Sequence, residues 1–217
     1  MANNTNGRAI SSGKAGTTLM LAQMAVLTAI IFILDVTKLG YLPLTPPGVS
    51  IMMLPVSVGA MIWGRKGGAV LGAMFGISSM IQCFTGSVLG ALALSINPLF
   101  TVLLNFGVRV LVGFLTGLIF EILSKRDKTK LWSYSATACL ASVLNSIIYV
   151  PLLVLFFGTS TEFQALFIGE GAAQEALGIF FGIVVGILLV SMVFEAIACT
   201  VIGGTVAKIL NKYLNKT

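Results

Sequence analysis

The sequence predicts an all-α integral membrane protein, a bundle of six transmembrane helices with both termini on the cytoplasmic side. Three observations carry this expectation. Of 217 residues, 57% are hydrophobic and only 9% charged, with a mean hydropathy of +1.03; a soluble domain carries about 25% charged residues. Six apolar segments can each be matched to a crossing, which takes ~20 residues. Eleven of the thirteen basic residues fall on one side of the resulting topology, the asymmetry that membrane insertion imposes on Lys and Arg.

The first segment covers about residues 17–39 and follows a polar, weakly basic stretch, MANNTNGRAISSGKAG, read as a cytoplasmic tail over residues 1–16. No small-residue cleavage site follows a short apolar core, so no cleaved signal peptide is expected. The second segment, 51–63, is short, and the third spans 67–84. The fourth is 98–123, the fifth 132–157, and the sixth runs from 174 to about 209, longer than one crossing. The bundle thus occupies residues 17–210, and a basic cytoplasmic terminus follows over 211–217.

Charge placement fixes the orientation. Arg8 and Lys14 precede the first segment, and Arg65 and Lys66 join the second to the third. Lys125, Arg126, Lys128 and Lys130 join the fourth to the fifth, and Lys208, Lys212 and Lys216 close the chain. The opposite side carries Glu162, Glu170 and Glu175, with Lys38 paired by sequence to Asp35. The net charge of +6 therefore reads as topology and not as a nucleic-acid surface.

The outer loops are then 40–50, 85–97 and 158–173. The first, GYLPLTPPGVS, holds three prolines, which narrow the conformations open to a loop that has to close over something. Tyr41, Thr45 and Pro46 are its candidate gating residues; a stiff connector is the plainer reading.

Small residues set the expected packing. Gly68, Gly72 and Gly76 stripe the third segment, Gly113 and Gly117 lie on the fourth, and Gly178, Gly182 and Gly186 stripe the sixth. In lipid, helices associate through such close approach because burial from water offers no driving force. The first segment carries Ala22, Ala25 and Ala29, an alanine face that either packs internally or docks another membrane protein.

Polar groups inside apolar segments must face one another or a wet site, since lipid cannot satisfy them. Thr101, Asn105 and Arg109 share a face of the fourth segment at i, i+4 and i+8. Ser142, Asn145, Ser146 and Tyr149 stripe the fifth, and Ser191 and Glu195 lie on the sixth. Two roles are open to Arg109: an ion pair with Glu195, or a counter-charge for a polar ligand. At 1.5 Å per residue Arg109 lies about 16–17 Å below residue 98, and Glu195 about 31 Å from residue 174. That mismatch favours a ligand-facing Arg109. Candidate ligand-binding residues are Asn97, Thr101, Asn105, Arg109, Asn145 and Tyr149, with Glu195 as a buried charge.

Catalytic signatures are missing. There is no His, no P-loop, no HExxH and no GxSxG. Cys83, Cys139 and Cys199 lie inside apolar segments without metal spacing, so no metal or cofactor is expected. The inner connectors leave no room for a soluble catalytic domain. The chain reads as a binding device and not an enzyme.

GYLPLTPPGVSIMMLPVSVGAMIWGRKGGAVLGAMFGISSM, together with the AxxxA of Ala25 and Ala29, resembles the S components of energy-coupling-factor (ECF) vitamin transporters over residues 17–210. INPLFTVLLNFGVRVLVGFLTGLIF, LASVLNSIIYV and SMVFEAIACTVIGGTV are similar to the pantothenate-type branch, departing from it at Val108, where that branch has proline before the arginine. The resemblance implies a bacterial plasma-membrane subunit that captures a vitamin outside. It would deliver the vitamin by docking, through Ala25 and Ala29, on a transmembrane coupling subunit with two ATPases. Pantothenate is the specific expectation. Cobalamin, pyridoxamine, riboflavin or folate, and a stand-alone secondary transporter, are the alternatives.

Overall fold

A computed structural model describes residues 6–37, 41–42, 49–50, 52–125 and 131–168, with isolated residues between 182 and 200. Helices form almost all of it. α1 (Asn6–Val36) leads into a two-residue ribbon in which β1 (Tyr41–Leu42) pairs antiparallel with β2 (Val49–Ser50). α2 (Met53–Thr85), α3 (Val88–Ile96) and α4 (Pro98–Val102) follow. A π-helical turn (Leu103–Gly107) joins α4 to α5 (Val108–Ser124), and α6 (Leu131–Phe157) and α7 (Thr161–Ile168) complete the described chain.

α2 is a hairpin and not one long rod. Gly64 sits at φ 65° and ψ −152°, a region that residues with a Cβ hardly enter. A Cβ on Gly67 would lie 2.9 Å from the Gly59 carbonyl oxygen, though eight residues of straight helix span about 12 Å. Gly68 likewise faces Ala60, at 2.9 Å from its Cβ. The chain therefore folds back at Gly64 into limbs 53–63 and 65–85, the short second and the third segments expected from sequence. Glu121, near the end of α5, braces the turn. Its Oε1 accepts hydrogen bonds from the Arg65 backbone N–H at 3.4 Å and Arg65 Nε at 3.2 Å, and Oε2 lies 3.0 Å from Nε. A carboxylate at the start of limb 65–85 also opposes the positive end of its dipole.

The limb 65–85 packs antiparallel on α5 through its glycines. A Cβ at Gly68 would strike the Gly113 carbonyl, and one at Gly72 the Arg109 carbonyl. At Gly76 it would lie 2.9 Å from Phe106 Cα, and at Gly117 2.6 Å from Arg65 Cα. The expected stripes of the third and fourth segments thus meet each other, backbone against backbone. The sixth segment differs: a Cβ at Gly182 or Gly186 would meet nothing, and both residues are exposed. Regular spacing of small residues permits close packing but does not supply a partner.

The main apolar core joins α1, α2, α5, α6 and α7 through Ile31, Phe75, Val112, Phe157 and Phe163, all fully buried. Phe100 stacks on Phe156 with centroids 4.4 Å apart. A second cluster, Met61, Phe120, Tyr134 and Ala138, lies toward the Gly64 end. Two stretches expected as loops are partly helical, α3 and α7. Ser87 starts α3 by accepting from Gly90 N–H at 3.0 Å, an N-cap of the usual kind. The α4–α5 unit and α6 are each long and apolar enough to cross a membrane, α2 has that length and apolarity over its two limbs together, and Met20–Val36 of α1 is a shorter apolar helix. The predicted sixth crossing lies largely outside the described residues, and the predicted basic terminus, 211–217, lies wholly outside them.

Replacing Gly64 with Ala forces a left-handed φ and drives a Cβ to 2.8 Å from Glu121 Oε1; a cost of ~1–3 kcal/mol is expected. Gly68→Ala overpacks the backbone contact with Gly113 at a similar ~1–3 kcal/mol. Thermal unfolding in detergent checks both, with lowered midpoints expected for each.

Candidate functional site

The α4–α5 unit carries three of the predicted polar residues, and its π turn aligns them. Pro98 occupies the first turn and Asn97 caps it, its Oδ1 accepting from Leu99 N–H at 3.1 Å and Phe100 N–H at 3.2 Å. In a regular α-helix the eight residues from 101 to 109 overshoot two turns by about 80°. A π turn absorbs an extra residue, which brings Thr101, Asn105 and Arg109 back onto one inward face. All three are buried, with Thr101 fully so.

Asn105 lies within the π turn and ties three elements together. Its Nδ2 donates to the Thr101 carbonyl at 3.1 Å and to Cys83 Sγ at 3.6 Å. Its Oδ1 accepts from Tyr149 Oη at 3.3 Å, which joins α6 to the cluster. The Thr101 hydroxyl donates to the Asn97 carbonyl at 2.9 Å.

Arg109 is 8% exposed. Its Cα–Cβ bond tilts toward the N-terminus of α5, so the side chain climbs away from the Gly64 end and into the cluster. The guanidinium carbon sits 3.6 Å from the Phe75 ring centroid and 5.4 Å from that of Tyr149. Aromatic faces of this kind return part of the lost hydration of a cation, ~2 kcal/mol or more when desolvated. They do not saturate it: Arg109 Nε is buried and has no hydrogen-bond partner among the described residues.

A carboxylate unforeseen as a site residue completes the cluster. Asp35, near the end of α1, is only 4% exposed. Its Oδ2 accepts from the Ser78 hydroxyl, and its Oδ1 from Gln82 Nε2 at 2.5 Å. Gln82 Nε2 also reaches the Asp35 carbonyl at 3.1 Å, satisfying one of the carbonyls that a helix end leaves open. Lys38, expected from the sequence to pair with Asp35, lies outside the described residues. The ion pair found among the described residues is Arg65–Glu121, so Asp35 and Arg109 are not in salt-bridge contact. The two buried charges share one polar cluster without touching.

Further polar atoms are left unsatisfied. Ser79 Oγ and Asn145 Oδ1 are buried with no hydrogen-bond partner among the described residues. The structure thus gathers Thr101, Asn105, Arg109 and Tyr149 around Asp35, Phe75, Ser78, Gln82 and Cys83. Asn97 sits a turn further out with its side-chain oxygen committed to capping. Tyr41 lies in β1, while Thr45, Pro46 and Glu195 fall outside the described residues. A sequence signal existed for the missed set: Ser78 and Gln82, like Ser79 and Cys83, recur at i, i+4 within an apolar segment.

Ala22, Ala25 and Ala29 are exposed on α1, while Leu27, Ile31, Leu34 and Asp35 turn inward. Among the described residues no group of acidic, His and Cys side chains could hold a metal ion.

These features define a polytopic helical membrane protein with a buried polar cluster at the junction of α1, α2, α5 and α6. The model of the ECF transporter substrate-specific component family matches residues 19–206, so the chain belongs to that family and is the substrate-binding subunit type of an ECF transporter. Such subunits take a small-molecule substrate and work with an ECF coupling and ATPase module. No curated protein matches the chain.

Tyr149→Phe removes the hydroxyl that binds Asn105 and keeps the ring near Arg109. A loss of ~0.5–1.5 kcal/mol in stability is expected, read from denaturation midpoints, with the bundle otherwise intact.

Proposed function

We propose that the chain is the vitamin-capturing S component of a bacterial plasma-membrane importer, with pantothenate as its ligand. One observation carries the ligand site: Arg109 Nε is a buried, unpartnered donor inside a polar cluster at membrane depth. Leaving such a donor unsatisfied costs ~1–3 kcal/mol or more for a charged group, a cost that an acceptor on a ligand removes. A carboxylate on Arg109 would form a charge-assisted bond, and Asn145 Oδ1 would accept from a hydroxyl or amide N–H. Pantothenate offers one carboxylate, two hydroxyls and an amide, which matches this set of open valences.

Delivery follows by docking the exposed alanine face of α1 on a coupling subunit, which is bound to two ATPases. Small side chains let a partner helix approach closely, and Ala25 and Ala29 are exposed on α1. The ribbon loop from Tyr41 to Ser50, with Thr45 and Pro46, serves as a gate over the site.

Titration calorimetry of the purified protein with pantothenate tests the ligand. Arg109→Ala is expected to weaken binding about 10- to 150-fold, the equivalent of one charged hydrogen bond, with Arg109→Lys intermediate. Tight binding of cobalamin, riboflavin, folate or pyridoxamine instead would reject pantothenate. For docking, Ala25→Trp and Ala29→Trp are expected to abolish co-purification of coupling and ATPase subunits while ligand affinity stays within about twofold. Lost ligand binding in these variants would place the alanine face in internal packing.

A further inference from the structure

We infer that Asp35 is a specificity-determining residue of the site. It selects ligands that bring one acceptor or anionic end for Arg109 and a hydrogen-bond donor for Asp35, and it excludes ligands with a second negative charge there. This rests on the reading of the chain as a vitamin-binding subunit and narrows its substrate class.

The argument starts from the state of Asp35. Both of its oxygens face donors, the Ser78 hydroxyl and the Gln82 amide N–H. An ionised carboxylate is acceptor-only and suits such a setting, with about four lone-pair sites in all. Two bonds from side chains therefore leave acceptor capacity. Asp35 is held from the α2 side, by Ser78, which lies one turn along limb 65–85 from the Phe75 ring under Arg109.

The second step concerns the gap. A structural ion pair buried in a membrane gains most from direct contact, because close approach has to offset the desolvation of both ions. Here the charges stay out of salt-bridge contact, while Arg109 lies over Phe75 and keeps Nε open. Ser79 Oγ, beside Ser78 on α2, is open as well. A cation and a carboxylate, fixed from different helices and each with unused hydrogen-bonding capacity, form a dipolar receptor. A dipolar ligand completes both ends. A group with a second negative charge would meet Asp35 at low dielectric, where like charges repel far more strongly than in water.

Phosphorylation of a vitamin hydroxyl converts a donor into a dianion, so phosphate esters make the sharpest probes. Wild-type protein is titrated with pantothenate, with its ester phosphorylated on the terminal hydroxyl, and with the analogue lacking that hydroxyl; riboflavin and flavin mononucleotide form a second pair. The phosphorylated member is expected to bind about 100-fold or more weakly than its parent, and the deoxy analogue about 10-fold more weakly than pantothenate. In Asp35→Asn, which keeps the shape and a partner for Ser78, the deoxy penalty is expected to vanish. The phosphate penalty should shrink about 10-fold or more in the same variant. A phosphate ester that binds wild-type protein as tightly as its parent would overturn the inference. So would unchanged ratios in a folded Asp35→Asn, judged by its unfolding midpoint. If that variant does not fold, the wild-type comparison still decides. Binding of riboflavin with exclusion of its phosphate would sink pantothenate and support the role of Asp35. If neither parent vitamin binds, nor cobalamin, folate or pyridoxamine, the vitamin-binding reading is overturned and this inference with it.

Discussion

The backbone contact between limb 65–85 of α2 and α5 is the constraint on which the remaining geometry depends. Gly68 against Gly113 and Gly72 against the Arg109 carbonyl bring two helices to a separation that no side chain could share. Lipid gives no hydrophobic reward for this association, so van der Waals contact between bare backbones has to supply it. Once the helices touch there, Phe75, one turn beyond Gly72, falls under the Arg109 guanidinium. The position of the charge is thus a by-product of the packing that holds the bundle together.

Burial of a guanidinium and a carboxylate at membrane depth is handled by dividing the work. Aromatic faces hold Arg109, and hydroxyl and amide donors hold Asp35. The π turn adds the alignment that lets Thr101, Asn105 and Arg109 share one face, and Asn105 then fastens α5 to both α2 and α6. π turns inside α-helices are often found at functional sites, and here the gain is specific: a register that a regular helix would lose over eight residues.

Much of this was legible before any coordinates, and the exceptions have physical causes. Apolar length gave the first five segments, because lipid penalises charge in a way that composition records directly. The stripe of Gly68, Gly72 and Gly76 announced a packing face, and Arg65 and Lys66 marked the connector between the second and third segments. Asp35 was read only against Lys38, three residues away and the nearest opposite charge in sequence, while Ser78 and Gln82, which bind it, are over 40 residues distant. Nor does side-chain spacing encode a π turn: Thr101, Asn105 and Arg109 read as a loose α-helical stripe either way. The glycines at 182 and 186 show the converse, a pattern with no partner.

The hairpin at Gly64 has a consequence for biogenesis. Limb 53–63 rises only about 16 Å at 1.5 Å per residue, roughly half of a hydrocarbon layer about 30 Å thick. Alone it is too short to be retained as a spanning segment during synthesis. Joined by one glycine to limb 65–85, and lying against it at Gly59, Ala60, Gly67 and Gly68, it can enter the bilayer as half of a preformed pair. Its contacts are close in sequence, so they form early and at small entropic cost. The residue that turns the chain thereby also decides that a helix too short to cross the membrane enters it at all.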